Sequence, residues 1–462
     1  MLTSLRIENF KSWRDTGPVR LAPLTVIFGA NSAGKSSLGH LLQALKQTAL
    51  SSDRKRALHL GDDTTLIDLG TFGDCLHGHD LGHKLKFELG WKLPQPLEVI
   101  DAVNRATRFR GNAMKLSATV AADQKSGQPR TEQFEYALSN DSNPILTLTL
   151  ARNANSRFEL GSAPLHLVRT SGRVWPLDDP EKFYRLSEAS IARFQNAGFA
   201  TEFALATEAM LSSIFYLGPL RQHPRRMYQW SGDTPDDVGQ MGEFTIAAIL
   251  AAEAQSRLLN RAPRERRHRF AEFIAGWLKD LSVIDSFAVS PVAEGRREYE
   301  VLVRTHAGAP DVKITDVGFG VSQVLPALVQ AFYVPPDSTV WMEQPEIHLH
   351  PRVQAELADV FISAVQAYEN YRPRGVQLIV ESHSEHFLNR LQRRIAEEKI
   401  PPEDVAIYFA RRVQGATELE PLRINLYGEI ENWPENFFGD EMADLTARTV
   451  AAAQRRHRET TQ

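Results

Sequence analysis

The sequence predicts an α/β fold: a P-loop domain that carries an antiparallel β region and an inserted helical subdomain. Three observations lead there. A short β-forming run, Leu24 to Phe28, enters a glycine-rich loop and is followed by an amphipathic helix. Residues 93–175 alternate apolar and polar side chains over several runs, with Ser, Gly, Asn and Asp between them. From about residue 291 to 440, strand and helix patterns alternate, as in a sheet covered on both faces.

Each element follows from a local pattern. Leu5 and Ile7 alternate with Arg6 and Glu8 in an opening strand. Ser37 to Ala49 places Leu38, Leu41, Leu42 and Leu45 at helical spacing. Met114–Val120, Phe134–Leu138 and Ile145–Leu150 read as strands of the antiparallel region. Residues 181–282 read as mostly helical, broken at Gly218-Pro219 and around Ser231 to Asp237, without the sustained heptads of a coiled coil. The expected segments are therefore 1–92, 93–180, 181–290 and 291–440, with a polar tail at 441–462. No internal repeat or low-complexity segment occurs.

Bulk properties bound the setting. The 462 residues are 42% hydrophobic and 24% charged, with a net charge of −4, so any nucleic-acid contact needs a local basic patch. One cysteine, Cys75, permits no internal disulfide and suits a reducing compartment. No apolar run reaches the length of about eighteen residues that a membrane span requires, and the first residues carry no signal-peptide pattern. A cytoplasmic protein is the expectation.

The phosphate-binding signal is Gly29-Ala30-Asn31-Ser32-Ala33-Gly34-Lys35-Ser36, which fits G-x-x-x-x-G-K-S/T between a strand and a helix that begins near Ser37. Glycines let the backbone wrap phosphates, and the helix N-terminus offers free N–H groups. Lys35 is expected to neutralise β- and γ-phosphates, and the Ser36 hydroxyl to ligate Mg²⁺.

Later residues complete a site. Val340-Trp341-Met342-Glu343 is a buried strand ending in a carboxylate suited to the Mg²⁺ shell. A helix starts at Pro351, with Val353, Leu357, Val360, Phe361 and Ala364 on one face. A second strand, Val376 to Val380, leads into Glu381-Ser382-His383-Ser384, where His383 can sense a γ-phosphate; a helix with Phe387, Leu391 and Ile395 follows. Upstream, Gly318 and Gly320 open a helix through Ser322 and Gln323, an anion site that would clamp a second subunit's ATP if it faced one; Pro326 is expected in or near its first turn or two.

In these residues the chain resembles the ABC-type ATPases grouped with the SMC, RecF and overcoming-lysogenization-defect proteins. Ile7-Glu8-Asn9-Phe10-Lys11-Ser12-Trp13 is similar to that group's opening strand. Glu343-Gln344-Pro345-Glu346 through His348-Leu349-His350-Pro351 is the most specific match. Gly318–Gln323 resembles its variant signature, and Ser382-His383-Ser384 its switch-histidine loop. The resemblance spans 1–92 and roughly 215–440, and Trp433-Pro434-Glu435-Asn436-Phe437-Phe438 is similar to the end of one stand-alone bacterial subgroup.

The resemblance implies an ABC-type nucleotide-binding domain that takes ATP and Mg²⁺ and closes as a head-to-tail homodimer or higher homo-oligomer. Gly318, Gly320, Ser322 and Gln323 of one subunit would face Lys35 and Ser36 of the other, and Lys11–Trp13 would lie near the adenine or ribose. It also implies a separate effector, a nuclease or toxin, in anti-phage defence or DNA maintenance. Two departures stand out. The catalytic carboxylate normally follows the Walker B acid, and here that position is Gln344, a poor proton acceptor, so either Glu346 takes the role or hydrolysis is slow. No Gln-bearing loop follows the first helix, although Gly70–Asp74 occupies such a place. Residues 384–462 lack the Asp-x-Asp strand end of a Toprim nuclease, so none is expected there.

Three alternatives stay open. A transporter subunit would need a Leu-Ser-Gly-Gly-Gln signature, which is missing. A non-hydrolysing ATP-held scaffold is motivated by Gln344. Direct DNA repair, or another nucleic acid as partner, is motivated by Arg105/Arg108/Arg110, Arg221/Arg225/Arg226 and Arg261/Arg264/Arg266/Arg267/Arg269; the competing readings are a solvated face balanced by acids and, for Arg221 and Arg226, a position facing the nucleotide or the dimer interface.

Overall fold

The computed structural model describes residues 1–140, 143–262, 265–434 and 447–452. Strands β1 (Leu2–Phe10), β2 (Trp13–Asp15), β3 (Val19–Arg20) and β4 (Leu24–Gly29) precede helix α1 (Lys35–Leu50) and a short helix α2 (Phe72–Cys75). A meander follows: β5 (Leu85–Ile100), β6 (Arg108–Ala122), β7 (Pro129–Asn140), β8 (Asn143–Arg152) and β9 (Phe158–Ala163). Helices α3 (Glu188–Ala192) and α4 (Phe199–Ser212) lead into β10 (Ile214–Leu217). Two small antiparallel sheets then frame α5 (Thr245–Ala254) and α6 (Phe270–Asp280). One holds β11 (Tyr228–Gln229), β14 (Ser286–Pro291), β15 (Glu298–Arg304) and β16 (Val312–Lys313); the other holds β12 (Leu258–Asn260), β13 (His268–Arg269), β18 (Tyr368–Glu369) and β19 (Arg372–Pro373). The chain continues through α7 (Phe319–Tyr333), β17 (Thr339–Glu343), α8 (Pro351–Gln366), β20 (Gln377–Glu381), α9 (Glu385–Ala396), β21 (Val405–Val413) and β22 (Ala416–Leu422).

One mixed sheet dominates. Its order is β10-β17-β20-β4-β21-β22-β2-β1-β5-β6-β7-β8-β9, with β3 beside β1. The first five strands run parallel, and every residue of β4, β10, β17 and β20 is buried because helices cover both faces. Successive side chains point to opposite faces. Trp341 therefore joins the core formed with α1, α4 and the meander, while Val340 and Met342 join the core beneath α5–α9. All four strands end on the same edge, where ligands of open α/β sheets bind.

The sheet differs from the expected segmentation in two places. The boundary at residue 92 falls inside β5, whose first half pairs with β1 (Leu5 opposite Leu89), so the antiparallel region extends the sheet that carries the phosphate loop. The stretch read as mostly helical contains β10, a parallel partner of β17 (Tyr216 opposite Trp341). A run of four buried residues is too short for periodicity to separate strand from helix. Pro326 lies at the end of the second turn of α7, as expected, against Gly242, where an added Cβ would come within 2.6 Å of the proline ring. No helix among the described residues is long and apolar enough to cross a membrane.

Gln377 ties the N-terminus to the parallel strands. Its fully buried amide accepts from the Leu2 N–H at 3.0 Å and from Thr339 Oγ1 at 2.9 Å, and donates to the Leu2 and Ala22 carbonyls at 2.8 and 2.9 Å. Replacing it by Leu leaves these buried groups unpaired, so Gln377→Leu is expected to lower unfolding free energy by at least ~2 kcal/mol in chemical denaturation. A loss below ~0.5 kcal/mol, typical of a neutral surface change, would contradict this reading.

Candidate functional site

The phosphate loop is shaped by two glycines that no other residue can replace. Gly29 has φ +145°, and a Cβ there would sit 2.2 Å from the Ala410 carbonyl oxygen on neighbouring β21. Gly34, at φ +84°, lies so close to Ser12 that a Cβ would come within 2.1 Å of its Oγ. Trp13 braces the loop from below, its indole N–H reaching Ser37 Oγ at 2.8 Å and the Gly34 carbonyl at 3.1 Å.

A cleft of about 310 Å³ opens at this loop. Asn31, Ser32, Ala33, Gly34, Lys35, Ser36 and Ser37 line it, together with Gln344, His383, Lys11, Ser12, His40 and Glu381. Gly29 and Ala30 contribute their carbonyls, which accept from Lys35 Nζ at 2.8 and 3.0 Å. The third contact of that ammonium is His383 Nε2 at 3.1 Å. With Lys35 donating, Nε2 accepts and the ring is neutral. Burial, reinforced by the Lys35 charge, pushes His383 down to about 4.

The acidic side of the cleft is a pair. Glu343 and Glu381 end β17 and β20 in register, side by side. Ser36 Oγ donates to Glu381 Oε2 at 2.9 Å, and Trp341 Nε1 to Glu381 Oε1 at 2.7 Å. Tyr216 donates its hydroxyl to Glu343 Oε1, and His40 Nε2 lies 3.5 Å from the same oxygen. Burial and the Glu343 charge push Glu381 up to about 8. Burial opposes ionisation of Glu343 as well, but the His40, Tyr216 and Ser36 hydrogen bonds outweigh it and hold Glu343 below the usual range. One hydroxyl between two buried carboxylates is a hard oxygen donor set of the kind a small divalent cation prefers.

Gln344 and Glu346 are placed differently. Gln344 turns the chain at φ +44°, an uncommon conformation for a residue with a side chain, and lines the cleft. Glu346 is buried behind it and is not among the lining residues. Its Oε1 accepts from the His383 N–H at 2.7 Å and Ser382 Oγ at 2.9 Å, so it joins the loop after β17 to the loop after β20. Burial pushes its carboxyl up, against those two bonds.

Gly318, Gly320, Ser322 and Gln323 lie at the start of α7 and do not line this cleft. Ser322 borders a separate groove with Gln222, His223 and Tyr228. Gly70–Asp74 forms a capping box on α2, also outside the cleft. Four arginines of the basic clusters form ion pairs: Arg108 with Glu98, Arg226 with Asp316, Arg261 with Asp280 and Arg269 with Glu253. Arg264, Glu435–Phe438 and the Arg455–Arg458 end of the tail lie outside the described residues.

Three residues of the site were not anticipated. Glu381 carried a signal, a carboxylate closing an apolar run as Glu343 does. His40 did too, four residues after Ser36 and hence on the same helix face. Tyr216 carried none, because its segment read as helix.

A neutral, buried His383 gives a signed pH dependence. Its folded pKa lies below the ordinary value, so its contribution to stability is present at neutral pH and is lost as pH falls from about 6.5 towards 4. Between pH 7 and pH 5, His383→Asn is expected to lose less stability than the unsubstituted chain in urea denaturation. Equal losses would refute the assignment.

A family model described as "AAA domain, putative AbiEii toxin, Type IV TA system" matches residues 254–389, and one described as "Protein of unknown function (DUF3696)" matches 400–447. No curated protein matches. Among solved structures, one titled as the SmcHead bound to the C-winged helix domain of ScpA aligns at 12% identity and TM-score 0.41, covering 92% of this chain and 98% of that one. The SMC head domain from Thermotoga maritima aligns at 11% and 0.39, covering 92% and 99%. An Smc head domain with an extended coiled coil, bound to the C-terminal domain of ScpA derived from Pyrococcus furiosus, aligns at 9% and 0.35, covering 91% and 96%. The first family match runs through the Gly318 turn, the Glu343 strand and the His383 loop, so this part of the chain is similar to an AAA ATPase domain and carries the second half of the site that the phosphate loop begins.

Proposed function

We propose that this ATPase head binds Mg·ATP in the Lys35 cleft, hydrolyses it slowly, and closes on ATP into a head-to-tail homodimer that controls a separate effector. The observation that carries the reading is convergence: Lys35, Ser36, Glu381 and His383 meet at one cleft, with Glu343 beside Glu381 at the end of the neighbouring strand. Ser36, Glu343 and Glu381 would hold Mg²⁺, which supplies charge neutralisation at the β- and γ-phosphates. Lys35 would exchange its loop carbonyls for phosphate oxygens, releasing His383 to hydrogen-bond the same group. Lys11 and Ser12, at the mouth of the cleft, would meet the nucleoside side.

Slow turnover follows from the residue that faces the cleft. Gln344 can orient water but cannot take its proton, and Glu346 already uses one oxygen to hold the His383 loop. This supports an ATP-held switch, and a non-hydrolysing scaffold is the second reading that Gln344 favours. Placing Gly318–Gln323 outside the cleft fits a role across a dimer interface. The effector in this reading is a separately encoded nuclease or toxin acting in anti-phage defence, a context supported by the toxin–antitoxin description of the matching family. A RecF- or SMC-like role on DNA is the alternative, and the ion pairs of Arg108, Arg261 and Arg269 weigh against it.

Steady-state ATP hydrolysis, with Lys35→Ala as baseline, tests the reading. The unsubstituted chain is expected to turn over above that baseline, and Gln344→Glu to raise the rate about tenfold or more by installing a base at the cleft. Turnover equal to Lys35→Ala would leave the scaffold. A rate unchanged by Gln344→Glu but abolished by Glu346→Gln would move the base to Glu346.

A further inference from the structure

Arg221 stands out among the buried charges. It lies four residues beyond β10, at the edge of the sheet that carries the cleft, is only 7% exposed, and sits beside the cleft without lining it, so the guanidinium must turn to meet a ligand there. The loop that presents it is clamped on both sides: Gly218 N–H donates to the Gln240 carbonyl and Gln222 N–H to the Met241 carbonyl, each at 2.8 Å. The side chain makes one long bond, from Nη2 to the Glu343 carbonyl at 3.4 Å. Its Nε and Nη1 are buried without a hydrogen-bond partner. Among the described residues no carboxylate lies within ion-pair distance of it, although Glu343 and Glu346 are the acids whose charges it feels most.

The other deeply buried arginine shows what a structural role looks like. Arg374 pairs with Glu369 at 3.2 Å and donates to the carbonyls of Ala331 and Val334. Its charge is matched where it sits. Arg221 has no such match: a guanidinium, pinned to the backbone of the residue that ends the Glu343 strand, keeps two donor groups unused. A planar fork with spare N–H groups suits a phosphate oxygen better than any other common biological acceptor.

We infer that Arg221 is a second cation of the nucleotide site, which recognises the terminal phosphate from the β10 side, opposite Lys35. The inference rests on the proposal that the cleft binds ATP. In it, one Nη2 N–H stays on the Glu343 carbonyl while the other, together with Nη1, donates to γ-phosphate oxygens as the two-nitrogen edge of the guanidinium. ADP, which lacks that group, gains nothing from Arg221. The residue thereby distinguishes the nucleotide before hydrolysis from the one after it, and its bond to Glu343 conveys that difference to the Walker B strand.

The test is calorimetric titration of the full chain with Mg·ADP and with Mg·ATPγS. It compares the unsubstituted protein, Arg221→Met and Arg221→Lys, with thermal unfolding of each as a folding control. Arg221→Met is expected to bind ADP within about twofold of the unsubstituted chain and ATPγS about tenfold or more weakly, the scale of a charge-assisted hydrogen bond. Arg221→Lys, which keeps the charge without the fork, is expected to fall between. An unchanged ratio of ATPγS to ADP affinity in folded Arg221→Met would overturn the inference. So would equal weakening of both nucleotides, the mark of a merely structural residue. Should Arg221→Met fail to fold, an unchanged ratio in Arg221→Lys overturns it instead. Failure of the unsubstituted chain to bind either nucleotide would overturn the parent proposal and this one with it.

Discussion

Two carboxylates standing side by side in a buried site are the constraint on which the rest of the arrangement depends. Glu343 and Glu381 are brought together by the parallel register of β17 and β20, not by choice of rotamer. Like charges at that spacing cannot both ionise in a poorly solvated pocket unless a proton or a cation joins them. The surroundings answer this demand with donors: Tyr216 and His40 at Glu343, Trp341 and Ser36 at Glu381. Ser36 is the first residue to feel a change, because it belongs to the phosphate loop while bonding the acid of a different strand. A metal–nucleotide complex entering the cleft would therefore act at once on the loop, on both strand ends and, through Trp341, on the core beneath α1. Gly39 faces that indole so closely that a Cβ would come within 2.6 Å of it, which leaves Trp341 little freedom to move independently.

The second layer of coupling runs through His383. On one side its ring contacts Lys35; on the other its backbone N–H is held by Glu346. Glu346 sits in the loop after β17, so the phosphate lysine, the switch loop and the loop bearing Gln344 form one chain of hydrogen bonds. Such a chain has a function only if its links can exchange partners. Lys35 meets that condition, since the carbonyls of Gly29 and Ala30 are weaker partners than phosphate oxygens.

The parts of this site with a local signature were legible in the sequence. The phosphate loop announces itself through glycine spacing, and the structure supplies the reason at Gly29 and Gly34, where backbone and Ser12 leave no room for a Cβ. Strands β4, β17 and β20 were readable as uninterrupted apolar runs because both faces are covered, and α8 begins at Pro351, the position its sequence dictates. What the sequence hid depends on contacts between distant segments. Tyr216 and Arg221 reach Glu343 across more than a hundred residues, and β10 is too short to show a period. The continuity of the meander with the head sheet was hidden for the same reason: the pairing of Leu5 with Leu89 is a fact of register, not of either strand alone.

The central claim, that the paired carboxylates and Ser36 make a metal–nucleotide site, is tested most directly by electron paramagnetic resonance of Mn²⁺ used in place of Mg²⁺. With ATPγS present, the account predicts one bound Mn²⁺ per chain, greatly weakened by Glu343→Gln and by Ser36→Ala. Mn²⁺ binding that is indifferent to both substitutions would contradict it.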